Sequence, residues 1–337
     1  MRHFSRCTEL VCERYGKGAL ALVSKAYSSK LPALGTFSKA LVYLNTAVFF
    51  LLLIPWLLRW IKYPSEAKRD LYHPITSHFY GTMPIAMTIV AMNLAMAGYR
   101  EIALPLWILG SILVVVFALL IPYLFFVGEG VDVKTITPAW FIPPVGLIVI
   151  PLTALPFLPQ SQTWREVFIA FNYFGFGAGF FLYLALFAIV MRRFITHELL
   201  PPLMAPAVWI NLGPLGAGAV ALLNLVKVLP VAKEAFKGFA FILWGFGLWW
   251  HIMAILMTLY YLRNLHLPYS LAWWAFIFPI GAYVSATYNV GTSLGIGAMV
   301  DFGFSLYWLL LALWLGTGVK TLLHSFPCDF PFFQNQK

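Results

Sequence analysis

The stretch Thr137–Leu158, TPAWFIPPVGLIVIPLTALPFL, carries no charge and is long enough to cross the hydrocarbon core of a bilayer, which takes about 20 apolar residues. Pro143, Pro144 and Pro151 fall within it. In a helix each removes a backbone hydrogen bond and bends the axis. In lipid the freed carbonyl needs a partner from protein or water. Such a segment belongs inside a bundle, shielded from hydrocarbon.

Eight further runs of similar length flank it: Leu41–Ile61, Pro74–Gly98, Ile102–Val127, Val167–Met191, Leu203–Val228, Phe236–Leu262, Tyr269–Tyr288 and Leu294–Leu323. A tenth candidate, Thr8–Ala26, contains Glu13, Arg14 and Lys17. Unpaired charges at mid-bilayer are costly, so alone it reads as an interfacial helix; within a bundle it is a first span facing water. Ten spans are the preferred count. They put both termini on one side, and with Arg14 and Lys17 set aside there are twelve Lys and Arg on that side against eight on the other. The excess favours cytoplasmic termini.

The whole-chain numbers agree. With 61% hydrophobic and 10% charged side chains, this chain lies far from the roughly 25% charge of soluble proteins. A cytosolic enzyme, a secreted disulfide scaffold and a disordered chain are excluded. One integral membrane domain over residues 1–337 is expected, and no loop is long enough for a soluble one. The net charge of +10 belongs to loops facing headgroups rather than to a nucleic-acid surface. Cys7, Cys12 and Cys328 form no C-x-x-C pair, so neither a disulfide framework nor a metal site is expected. No removable signal peptide is expected either.

Proline positions divide the spans. Pro84 lies deep in the third, Pro144 in the fifth, Pro206 and Pro214 in the seventh and Pro279 in the ninth. Among even spans, Pro55, Pro105 and Pro122 lie towards the ends, and the sixth, eighth and tenth have none. The expectation is five helical hairpins, each a kinked inner helix followed by a straight outer one, with the odd helices around a central pore.

Enzyme signatures are absent: there is no G-x-S-x-G, H-E-x-x-H, P-loop or dinucleotide fingerprint, and no cofactor is implied. The run FGFGAGF, Phe174–Phe180, sits mid-span and reads as close helix packing. Candidate pore residues are the polar groups on odd helices. Lys17, between Gly16 and Gly18, either attracts an anion in the lumen or snorkels and pairs with Glu13; Arg14 faces the same choice. His78, near Thr82, binds anionic oxygens, carries a proton or makes a structural bond. Asn211 is interhelical glue or lines water. His251, on a straight helix, is expected to pack or to meet another subunit. Phe278 is the candidate gate: it precedes Pro279 at the middle of an inner helix, where a ring in a narrow pore excludes water.

Four stretches carry a resemblance: HPITSHFYGTMP (His73–Pro84), ITPAWFIPPVGLIVIPLTA (Ile136–Ala154), MAPAVWINLGPLGAGA (Met204–Ala219) and SLAWWAFIFPIGAY (Ser270–Tyr283). In this order they resemble the tellurite-resistance/dicarboxylate transporter family. That family includes TehA-type channels, malic acid transport proteins, sulfite exporters and plant slow anion channels. The resemblance implies ten helices, five around a pore, homotrimers with one pore per subunit, and a gating phenylalanine at Phe278. It implies anion transport, with malate-like C4-dicarboxylates as the leading substrate; the lack of an ATP site makes transport gradient-driven, and if protons are co-transported His78 or Glu13 is the candidate carrier. A passive chloride or nitrate channel, or an exporter of sulfite- or tellurite-type oxyanions, is the alternative. Where the family's first helix often reads M-G-T-G, this chain has YGKG, Tyr15–Gly18; a fixed cation there biases selectivity towards anions. From another class, a membrane-embedded enzyme or a structural partner subunit is the competing reading.

Overall fold

The computed structural model describes residues 18–128 and 130–325. Glu13, Arg14 and Lys17 lie outside the described residues. Among those described there are helices and no strands. After a helix over 18–26 (α1) come α2 Ala33–Lys62, α3 Pro64–Leu71, α4 Thr82–Met96, α5 Arg100–Phe126, α6 Ile142–Thr153, α7 Gln162–Thr196, α8 Leu212–Val228, α9 Lys233–Asn264, α10 Ile277–Leu294 and α11 Gly297–Ser325.

Eight stretches are long and apolar enough to cross a membrane, and Pro138–Thr153 is apolar but shorter. The expected fifth span ran to Leu158. The α-helix stops at Thr153 because Pro156 and a 3-10 turn over Leu155–Phe157 follow. Of Thr8–Ala26, only residues 18–26 are described. The short amphipathic helix α3 was not anticipated. Its Asp70 forms an ion pair with Arg59 near the end of α2, and the Tyr80 hydroxyl donates to the Ala67 carbonyl at 3.3 Å.

Burial separates the helices into two sets. In the spans Ser77–Met96, Pro202–Val228 and Leu271–Leu294, 83, 94 and 61% of the most apolar window is buried, and Ile142–Pro151 is buried throughout. In α2, α5, α7, α9 and α11 the share is between 22 and 39%. The buried helices touch in the order α4, α6, α8, α10. Helix α1 lies between the last and the first: Asn93 Nδ2 of α4 donates to the Gly18 carbonyl at 3.4 Å, and a Cβ on Gly281 of α10 would stand 2.7 Å from Ala19 Cβ.

Glycines set the closest approaches. A Cβ at Gly179 would fall 2.6 Å from the Pro144 carbonyl oxygen, and one at Gly175 2.8 Å from that of Leu147. The FGFGAGF run is thus a backbone-to-backbone contact of α7 on α6, as small residues make in membrane bundles. Gly216 does the same between α8 and α10.

Each of the four buried spans is built in two halves. A 3-10 segment leads: Ser77–Gly81, Pro138–Phe141, Pro202–Asn211 and Leu271–Phe276. An α-helix follows directly, and its third residue is proline every time: Pro84, Pro144, Pro214 and Pro279. The first N–H groups of an α-helix have no acceptor of their own in it, so proline is tolerated within the first turn. Each proline therefore sits where an α-helix starts afresh. Pro206 lies inside the 3-10 segment, and Pro214 takes the register position on this span.

Candidate functional site

The four 3-10 halves enclose a cavity of about 390 Å³. Its walls follow a period of three. Phe79, Thr82 and Ile85 line it from the first segment, Ala139, Ile142 and Val145 from the second. The third contributes Met204, Ala207, Ile210 and Gly213, and the fourth Ala272, Ala275 and Phe278. In the third and fourth segments these residues lie almost wholly in 3-10 helix, whose three residues per turn eclipse side chains at i and i+3 in a straight stripe. In the first two only Phe79 and Ala139 do, and the others stand on the first turns of α4 and α6. The first two stripes hold the same offsets from their prolines, and so do the last two. Gly213 and Phe278 are counterparts, each immediately before the register proline.

The indoles between the stripes are anchored away from the axis, although Trp274 also lines the cavity. Trp140 packs on His78 at 4.3 Å and Phe125 at 5.0 Å between ring centroids. Trp209 Nε1 donates to Thr258 Oγ1 of α9 at 2.9 Å. Trp274 Nε1 donates to Thr321 Oγ1 of α11 at 3.0 Å. The wall is mostly larger apolar side chains, with Ala139, Ala207, Ala272, Ala275 and Gly213 as its small residues. No charged residue is among the residues lining it; the hydroxyl-bearing ones are Thr82 and Ser270. Thr82 donates to the Phe79 carbonyl and Ser270 to that of Leu203.

Phe278 stands at the level where the 3-10 halves give way to α-helix. The place of a Cβ on Gly213 lies 3.5 Å from its Cε1, so the ring of α10 covers the glycine of α8. Below this level the α halves are in backbone contact through Gly216.

The sequence candidates divide accordingly. Thr82, Phe278 and Pro279 line the cavity; His78, Asn211, Pro84, Pro144 and Pro206 are not among its lining residues. His78 is buried, stacked on Phe125 at 5.7 Å, with Nδ1 3.1 Å from Ser77 Oγ. Asn211 is buried and accepts a hydrogen bond from Tyr183 of α7 at 2.9 Å. His251 is buried between Trp209 and Tyr283, its ring centroids 5.4 and 5.8 Å away, a packing role inside the subunit. Asp301, early in α11, pairs with Lys30. Among the described residues no cluster of metal-ligating side chains is present. Gly213 and the alanine stripe were missed. The signal that finds them is the residue before Pro214 and before Pro279, followed backwards in steps of three.

Comparison with known proteins adds identity to this geometry. The profile described as voltage-dependent anion channel matches residues 15–322. An uncharacterized transporter of Methanocaldococcus jannaschii is 46% identical over 311 residues, covering 91% of each chain. A sulfite efflux pump of Trichophyton rubrum is 26% identical over 300 residues, 82% of this chain and 79% of its own. The malic acid transport protein of Schizosaccharomyces pombe is 24% identical over 323 residues, 88% of this chain and 73% of its own.

Proposed function

Since the chain belongs to the voltage-dependent anion channel family, a family of multi-pass membrane anion transporters, we propose that it moves small organic anions along an axial path between its buried helices. In this reading the passage enters the cavity between the 3-10 halves, is closed by the Phe278 ring and continues between the α halves of α4, α6, α8 and α10, with α1 as the fifth wall. The outer helices form the jacket, giving ten spans in five hairpins. The subunits form a homotrimer with one passage each, and both termini are cytoplasmic. With no nucleotide-binding motif in the sequence, transport runs down gradients.

One observation carries this reading: four proline-started helices bring period-three stripes to a single cavity, with one aromatic ring where the stripes end. Steric closure and dewetting by an apolar ring block water and ions together.

The lining also bears on the substrate. The cost of taking an ion out of water rises with the square of its charge, and no cation among the lining residues offsets it. A singly charged anion therefore crosses far more readily than a doubly charged one. A malate-like dicarboxylate enters as its singly ionised form, bringing a proton with it. Proton symport then needs no carrier side chain, and His78 is a packing residue. Lys17, one position before Gly18, would supply the fixed positive charge that the described lining lacks, with Arg14 and Glu13 nearby in sequence.

Purified protein in liposomes tests the proposal with labelled malate and with chloride. Malate uptake should rise as the loading side is acidified. Transport of neither anion refutes the function. Uptake indifferent to pH refutes entry as the singly charged form. Chloride flux far exceeding that of malate at every pH transfers the assignment to a passive inorganic anion channel.

A further inference from the structure

A second cavity, of about 510 Å³, lies at the other end of α4. It is bounded by α1, the first turns of α2 and the last turn of α4. Thr82 of α4 faces the transport cavity and Met96 faces this one. At 1.5 Å per helical residue the two lie about 20 Å apart. None of its lining residues lines the first cavity.

Its chemistry differs from that of the first cavity. Lys25 of α1 and Lys39 of α2 both line it, and no acidic residue does. The nearby acid Asp301 is held by Lys30. Lys25 Nζ donates to the Met96 carbonyl at 3.3 Å, which leaves two of its three donors. Lys39 has no hydrogen bond or ion pair with a described residue. Gly35 and Thr36, in the first turn of the 30-residue helix α2, also line the cavity, and the positive end of that helix dipole adds to the two ammonium groups.

Beside the charges the wall is apolar, through Leu22, Val42 and Met96. It continues onto the outward face of α2, where Tyr43 and Leu44 are exposed. Lys39 sits in the second turn of the membrane-length helix α2 and Lys25 one residue before the end of α1, and lysines at such helix ends reach headgroup depth. We propose that this groove binds an anionic phospholipid, the lysines taking the phosphate and the apolar wall taking the start of an acyl chain. A phosphate ion shares the charge but gains nothing from the apolar wall, so the combination favours the lipid.

The test uses the whole protein in detergent, titrated with phosphatidylglycerol or phosphatidylcholine and read by native mass spectrometry. One basic residue near an anionic surface is worth about 1 kcal/mol, or roughly fivefold. Phosphatidylglycerol should be preferred, Lys39→Gln should weaken that preference about fivefold, and Lys25→Gln with Lys39→Gln on the order of twentyfold. Glutamine at position 25 keeps a donor for the Met96 carbonyl. Unchanged melting of the variants in phosphatidylcholine shows that the fold is intact. Equal binding of the two lipids, or a preference that survives the double substitution, overturns the proposal. Displacement of phosphatidylglycerol by an excess of inorganic phosphate overturns the lipid assignment in favour of a free oxyanion. None of these outcomes depends on whether the protein transports malate.

Discussion

Gly213 and Gly216 stand three residues apart on α8, and replacing each with alanine should have opposite consequences. At Gly216 the added Cβ would lie 2.6 Å from the carbonyl carbon of Ala282 and 2.7 Å from both its oxygen and the Tyr283 nitrogen. These are backbone atoms of α10, and the closest is about 0.8 Å short of ordinary contact. The helices must separate, because no side chain can give way. Overpacking of this kind costs about 1–3 kcal/mol, and the melting temperature should fall by roughly 2–4 °C for each kcal/mol. At Gly213 the Cβ would sit 3.5 Å from Phe278 Cε1, an ordinary contact. There the restriction of the unfolded chain should stabilise by about 0.4–1 kcal/mol. The methyl group enters the cavity against the phenyl ring and holds it across the passage. Gly213→Ala should therefore melt no lower than wild type and conduct less. Paired melting curves and liposome flux measurements decide the matter. Equal destabilisation by the two substitutions would refute the helix placement. Intact Gly213→Ala protein with wild-type flux would remove the Phe278 contact from the path.

Phe278→Ala should raise anion flux at least about tenfold, the equivalent of 1.4 kcal/mol off the barrier, as measured by the same assay; unchanged flux would show that the ring is not the gate. Arg59→Met leaves Asp70 without its buried partner and should cost about 3 kcal/mol, read as a lower melting temperature; melting within one degree of wild type would show that the pair is dispensable. Tyr183→Phe leaves the buried Asn211 oxygen without its donor and should cost about 1–3 kcal/mol. Adding Asn211→Leu should recover part of that loss, and failure to recover any would place the cost elsewhere.

Much of the fold is legible because its signals are local. Runs of uncharged residues show the spans, and the prolines in alternate runs mark the segments found buried. Phe278 was visible as the aromatic residue beside Pro279. The two-part build of each buried span was not, because apolar stretches were read as continuous helices of 3.6 residues per turn. With that period, Pro206 and Pro214 look like equivalent kinks. Only the recurrence of proline at the third residue of each α half distinguishes Pro214. For His78 and Asn211 the sequence leaves a structural and a functional use open, for another reason. Their surroundings come from far along the chain: Phe125 and Trp140 cover the histidine, and Tyr183 binds the amide. Polarity on a buried helix says that a partner exists, and distant sequence decides whether the partner is solute or protein.

The two halves of each buried span do different physical work. In the α halves, glycine lets neighbouring backbones touch, as at Gly216 against Ala282. In the 3-10 halves the indoles are directed outward to hydroxyls on α9 and α11. That outward anchoring holds the alanine stripes apart, because a tryptophan whose N–H is bonded to the jacket cannot swing in without losing that bond. Trp274 itself lines the cavity, so this part of the wall is held from behind by the jacket. Thr321→Val should relax the site without touching its lining: Trp274 would lose its acceptor, the cavity would become less defined, and flux selectivity between chloride and malate should narrow. Selectivity unchanged in a stable Thr321→Val protein would mean that the cavity holds its shape through the lining alone.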